Sequence, residues 1–180
     1  MTWSPSGAIA VFSAAAFEQI LLSLLAVYGS TLGSTEARIA SIITCFIAGS
    51  AAMQILLGRF AERFGSTRTM LSCALASVAG CLLLSPSFNS LLVWPLVFIW
   101  GGVSFGIYTM SLIQLGERFT GQALIAGNAA FAFVWGIGGI VGSPATGLAM
   151  QIVGYQGLPL SLGLLCCVLA VLLVASGRRL

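Results

Sequence analysis

Leu158-Pro159-Leu160-Ser161-Leu162-Gly163-Leu164-Leu165-Cys166-Cys167-Val168-Leu169-Ala170-Val171-Leu172-Leu173-Val174-Ala175 contains no charged residue and is apolar all round a helix apart from Ser161 and the two cysteines. A span of the hydrocarbon core needs about 20 such residues. The chain repeats this character along its 180 residues, with 59% hydrophobic and 6% charged side chains and a mean hydropathy of +1.09. Soluble domains carry roughly 25% charged residues, so a water-facing surface cannot be built from this inventory. In lipid every backbone N–H and C=O needs an internal partner, which leaves helices or a closed barrel. The apolar runs are long and continuous rather than alternating, and that favours helices.

Charges and turn residues punctuate the chain into six predicted transmembrane helices, roughly 7–28, 39–57, 69–85, 91–115, 123–152 and 158–175, in a single domain over 1–180. The first ends in Gly29-Ser30-Thr31-Leu32-Gly33-Ser34, the third at Pro86, and the fourth at Gly116-Glu117-Arg118. The first lacks a basic stretch before its apolar run, so it reads as a retained span rather than a signal peptide. With six spans, Arg59, Arg63, Arg68, Arg118, Arg178 and Arg179 share one side and Arg38 alone lies opposite. The positive-inside rule then places both termini in the cytoplasm, in a cytoplasmic (inner) membrane.

The chain has no His, Lys or Asp, which removes most catalytic and metal-binding vocabulary. A Ser–His intramembrane protease, an HExxH metalloprotease and a paired-Asp protease are all excluded on this ground. The five cysteines, Cys45, Cys73, Cys81, Cys166 and Cys167, lie inside spans without CxxC spacing and read as small packing residues. No enzyme activity, cofactor, metal or nucleic-acid partner is expected; the expected partners are the lipid bilayer and a small solute.

Three spans are polar at depth. The first carries Glu18, Gln19 and Ser23, the fourth Trp100, Ser104, Tyr108, Thr109, Ser111 and Gln114, and the fifth Asn128 and Trp135. Unsatisfied polar groups are expensive in hydrocarbon, so these spans should face a polar interior or a partner. Glu18 is the one acidic residue inside a span. A charged carboxylate there must be protonated, paired or in a watery cavity, which makes Glu18 a candidate substrate or proton site. The competing readings are a hydrogen-bonded packing residue and a first helix that begins later than drawn. Trp100, Tyr108 and Trp135 are candidates to line a cavity for apolar or cationic solutes, and equally candidates for plain packing.

The connector after the second span reads Gly58-Arg59-Phe60-Ala61-Glu62-Arg63-Phe64-Gly65-Ser66-Thr67-Arg68. It resembles the signature loop of the major facilitator superfamily, Gly-x-x-x-(Asp/Glu)-(Arg/Lys)-x-Gly followed by basic residues. Gly58, Glu62, Arg63 and Gly65 match, while the usual basic pair is reduced to Arg68. Glu117-Arg118 resembles an element found in the other cytoplasmic connector of several facilitator families. The resemblance implies a cytoplasmic gate in which Glu62, Arg63, Glu117 and Arg118 form one ion-pair network; solvated loop charges are the plainer reading. Gly138, Gly142 and Pro144 in the fifth span offer a small-residue face and a kink, and facilitator helices at this position often carry such a Gly-Pro element.

Facilitators have about twelve spans in two six-helix halves, with the first and fourth helices of each half lining the cavity. The chain therefore resembles one half of such a helical bundle, the C-terminal half more than the other. The resemblance implies secondary-active transport of a small solute, with a second six-helix half or a homodimer completing the cavity. The alternative is a non-transporting subunit or an inactive fragment.

Overall fold

The computed structural model describes residues 5–177, and side chains from Ala8 to Ala175. Arg178 and Arg179, which contribute to the expected orientation, lie outside the described residues. The helices are α1 (Pro5–Thr31), α2 (Glu36–Ala52), α3 (Gln54–Phe64), α4 (Ser66–Ser87), α5 (Val93–Arg118), α6 (Gly121–Val153) and α7 (Gly157–Gly177), with a 3-10 turn at Gly154–Gln156 between the last two. Among the described residues there is no strand.

Four stretches are long and apolar enough to cross a membrane: Ala8–Thr31, Ser66–Ser87, Val93–Arg118 and the 55-residue Gly121–Ala175. Joined as one span, α2 and α3 make a fifth, bent by 42° where they meet at Met53. The break moves a boundary. The region 58–68, read from sequence as a charged connector, is helical except at Gly65, because α3 runs to Phe64 and α4 begins at Ser66. The charges mark an amphipathic helix rather than a loop: Leu57 and Ala61 are buried while Arg59, Glu62 and Arg63 stay exposed. Gly65 alone makes the turn, at φ +86°, a left-handed conformation that glycine adopts without a Cβ clash.

Helix α5 is the centre of the bundle. It crosses α2 at glycines facing backbone in both directions, Gly49 against the Phe98 carbonyl and Gly101 against the Phe46 carbonyl. On its other side Gly80 of α4 leaves room for the Trp100 ring. Trp100 is 1% exposed, donates its indole N–H to the Ser77 carbonyl at 3.1 Å, and meets Phe17 edge-on at 5.2 Å. Helix α1 packs on α6, where a Cβ at Gly138 would come within 2.7 Å of the Phe12 carbonyl and one at Gly142 within 2.9 Å of the Ala16 Cβ. Helix α6 runs unbroken through Pro144. Gly157 then seats the start of α7 against the Ala149–Met150 backbone of α6, so the chain doubles back. Helix α7 buries the stripe Leu158, Leu162, Cys166, Leu169 and Leu173 and leaves Leu160, Leu164, Val168 and Val171 outside.

The end of the bundle opposite the arginine-rich one is tied together by side chains. Arg38 donates to the Phe88 and Ser90 carbonyls at 3.0 and 3.1 Å, capping the end of α4. Ser34 donates to Asn89, which donates to the Leu32 carbonyl. Ser85 gives its one hydroxyl proton to Gln156 at 3.1 Å, so Tyr28 is the donor in its 2.9 Å bond to Ser85.

Replacing Gly101 with Leu should destabilise the fold by about 3 kcal/mol or more, because the new atoms meet a backbone that cannot move aside. Gly136→Ala, where nothing lies within 4 Å of the added carbon, should stay within about 0.5 kcal/mol of the parent. Unfolding titrations in mixed micelles measure both, and equal midpoints would contradict the α2–α5 crossing.

Candidate functional site

Register fixes the depth of Glu18. Val11 of α1 packs with Leu115 of α5 and Phe131 of α6, while Phe17 reaches Trp100 and Gln19 lies against Gly139. Between these contacts, on α5 and α6, come Phe105, Tyr108 and Trp135. Glu18 lies in the middle of α1, between Phe17 and Gln19 and so level with Trp100 and Gly139, while the trio lies nearer the Val11 end of that register. Glu18 is half-buried, and its Oε2 is shielded without any hydrogen-bond partner among the described residues. A carboxylate oxygen left this way is costly when ionised in a low-dielectric setting.

The three aromatic rings form one cluster. Tyr108 and Trp135 meet edge-on at 4.6 Å, Phe105 and Tyr108 lie 5.7 Å apart, and Phe105 and Trp135 lie 6.2 Å apart. All three are half-buried. They bridge α5 and α6 beside α1, and each keeps part of its surface open. Phe105 was not among the residues singled out from the sequence; it is one turn before Tyr108 on the same face of α5, and that spacing is the signal that finds it.

Other expected liners sit elsewhere. Trp100 is enclosed in the core with its N–H satisfied, so it packs rather than lines a cavity. Ser104 and Ser111 donate back to the Trp100 and Ile107 carbonyls at 2.6 and 2.9 Å. Those hydroxyls need no polar interior, because a helix can satisfy its own serines one turn back. Thr109 donates to Gln54 Oε1 at 2.6 Å, and Gln54 Nε2 donates to the Ser50 carbonyl at 2.7 Å. Gln54, at the α2–α3 break, was absent from the sequence-derived set because it falls at the edge of an apolar run. Asn128 is exposed on α6, away from the Glu18 level. Gln19 packs against Gly139 of α6.

The arginine-rich end is open by comparison with the other. Arg59, Glu62, Arg63, Arg68, Glu117 and Arg118 are all exposed. Among the described residues no ion pair joins Glu62, Arg63, Glu117 and Arg118, and the expected four-membered network is not formed in this structure. Gln114 donates to Thr67 at 3.2 Å as a polar bridge between α5 and α4 there. The Arg63 guanidinium lies 5.4 Å from the Phe64 ring centroid instead. Gly65 makes the turn, whereas a Cβ at Gly58 would meet open space, so no close helix approach depends on Gly58 in this arrangement.

Known proteins place this geometry. An uncharacterized MFS-type transporter of Enterobacter sp. (strain 638) is 23% identical over 131 residues, covering 73% of this chain and 34% of the relative. An uncharacterized MFS-type transporter of Yersinia pseudotuberculosis serotype O:1b (strain IP 31758) is 24% identical over the same shares. The chain thus spans about a third of the length of the curated relatives it matches. A crystal structure of the POT family transporter PepTSo, obtained in meso, superposes with a TM-score of 0.80 at 21% identity, over 99% of this chain and 38% of that one. The fold is therefore of the facilitator type, in an integral membrane protein. The family model of the Major Facilitator Superfamily matches residues 7–179, nearly the whole chain, and the protein belongs to that superfamily.

Proposed function

We propose that this chain is one six-helix half of a secondary-active transporter that moves a small solute by alternating access, completed by a second six-helix unit. The observation that carries the reading is the half-buried Glu18 carboxylate in the middle of α1, its Oε2 without a hydrogen-bond partner among the described residues. An intramembrane ionisable group of this kind marks a substrate or ion pathway by default.

The six-span count rests on two physical arguments. Helices α2 and α3 together are long enough for one bent crossing. The 55-residue Gly121–Ala175 stretch is about 80 Å as a straight helix, far beyond a hydrocarbon core of about 30 Å. Its reversal at Gly157 makes it two crossings. An even count puts both termini on the arginine-rich side, which the positive-inside rule assigns to the cytoplasm of an inner membrane. There Gly58, Glu62, Arg63, Gly65, Arg68, Glu117 and Arg118 act as gate elements, whose charges pair when the transporter closes on that face.

The cavity is one-sided in a six-helix unit, and a second half, covalently continuous or a second copy, faces the Glu18 level. A second reading, a non-transporting subunit or a fragment, is favoured by one number: the matches span only 34% to 38% of the proteins compared. Cross-linking in native membranes separates the two. Capture of a six-helix partner or a second copy supports a half-transporter, and a strictly monomeric chain supports the fragment.

A thermal-shift screen of small solutes identifies a ligand for the assembled protein. In proteoliposomes Glu18→Gln should then reduce uptake at least about tenfold, about 1.4 kcal/mol of lost interaction, and flatten its pH dependence. Uptake and pH profile identical to the parent would remove Glu18 from the pathway. Neutralising Arg63 by Arg63→Gln should raise the labelling of cysteines engineered into the cytoplasmic half of the cavity. Unchanged labelling rates would show that Arg63 is no gate.

A further inference from the structure

Helix α3 presents two different surfaces. Leu57 and Ala61 are buried in the bundle, whereas Leu56, Phe60 and Phe64 are about half exposed, at 47–48%. Together with Arg59 and Arg63, these three line an open groove of about 210 Å³. The rings of Phe60 and Phe64 are stacked with centroids 5.8 Å apart and planes within 23°. Arg59 and Arg63 are one helical turn apart, so both guanidinium groups reach the same side of that apolar floor. No carboxylate lines the groove. Glu62, next to Arg63 in sequence, projects about 100° further round the helix.

This combination selects its occupant. A purely apolar face is satisfied by lipid tails alone, and a purely basic one by water and counterions. Here two guanidinium groups in no ion pair among the described residues, each able to hold a phosphate through a pair of parallel hydrogen bonds, border a stacked aromatic surface that calls for hydrocarbon. The axis of α3 also departs by 42° from α2, at the end of a span, where amphipathic segments with basic and aromatic residues lie in the membrane interface.

We propose that the Leu56–Phe64 groove binds an anionic phospholipid, its phosphate held between Arg59 and Arg63 and its acyl chain laid over Leu56, Phe60 and Phe64. A zwitterionic lipid fits less well, because the groove offers no carboxylate for its cationic headgroup. The site needs neither Glu18 nor transport; it shares Arg63 with the proposed gate, and Arg59, which the gate does not use, distinguishes the two.

Native mass spectrometry of the purified full chain tests this. The protein is supplied with equal amounts of phosphatidylglycerol and phosphatidylethanolamine. Retention should favour phosphatidylglycerol about tenfold. The double variant Arg59→Gln/Arg63→Gln should lose that preference, Glu62→Gln should keep it, and Phe60→Ser/Phe64→Ser should shed both lipids. The pair Arg59→Lys/Arg63→Lys retains the charge and guards against misfolding as the explanation; it should hold part of the preference. Equal retention of the two lipids by the parent, or an unaltered preference in the Arg59→Gln/Arg63→Gln protein, overturns the proposal. So does efficient cross-linking of a Phe60→Cys variant to a second six-helix unit in phosphatidylglycerol vesicles, since protein would then occupy the groove.

Discussion

Between helices in a bilayer there is no hydrophobic driving force to spare, because lipid tails are as apolar as leucine. Cohesion has to come from close approach. The crossing of α2 and α5, with Gly49 and Gly101 each set against a carbonyl of the other helix, is where this chain achieves it most fully. Helix α5 is held there, and its far side is then available to α4 through the Gly80–Trp100 contact. Trp100 in turn meets Phe17, which sets the height of α1. Helix α1 carries α6 on Gly138 and Gly142, and α7 closes over both. Glu18 and the aromatic trio are positioned by this sequence of contacts rather than by hydrogen bonds of their own.

The two ends of the bundle are held by different physics. One end is a clasp of neutral and charge-assisted hydrogen bonds, with Arg38 on the last carbonyls of α4 and the Tyr28–Ser85–Gln156 chain joining α1, α4 and the turn before α7. The other carries most of the charge and little internal bonding, with Gln114 to Thr67 at 3.2 Å between α5 and α4. Charges kept exposed and unpaired within a unit are free to pair outside it. The isolated arginine on the clasped side is thereby explained: Arg38 answers a helix terminus, which is a local demand for positive charge whichever side it faces.

Much of this was legible in the residues. The stretches 7–28, 69–85, 91–115, 123–152 and 158–175 fall within a few positions of helices, while 39–57 ends inside α3; turn residues mark helix ends in lipid as they do in water, and the family resemblance rested on Gly58, Glu62, Arg63 and Gly65. What was hidden is instructive. Charge in 58–68 signalled a connector, yet Leu57 and Ala61 share a face, and an amphipathic helix uses charges without ending at them. Polarity in α5 signalled a cavity, but Ser104 and Ser111 bond to their own helix. Gly49 and Gly101 look like any glycines in a membrane span; which of them touches backbone depends on the partner helix, and that is tertiary information. The buried stripe of α7 had no sequence signal either, because an all-apolar helix does not declare which side is inside.

Of the candidate residues, Glu18 has changed its meaning most. From sequence it was a carboxylate in an apolar run, open to a packing explanation in which a hydrogen bond satisfies it. Among the described residues Oε2 has no such bond, while polar groups elsewhere in the bundle find theirs: Gln54 with Thr109 and Ser50, Tyr28 with Ser85, Trp100 with Ser77. Glu18 Oε2 is one of three shielded side-chain atoms left unmet among the described residues, with Arg38 Nε and Ser143 Oγ, and it is the one carboxylate oxygen of the three. For a packing residue that arrangement is a standing cost. For a group that exchanges a proton or a solute it is the opening the exchange requires, since a fully bonded carboxylate must first break a bond it already has.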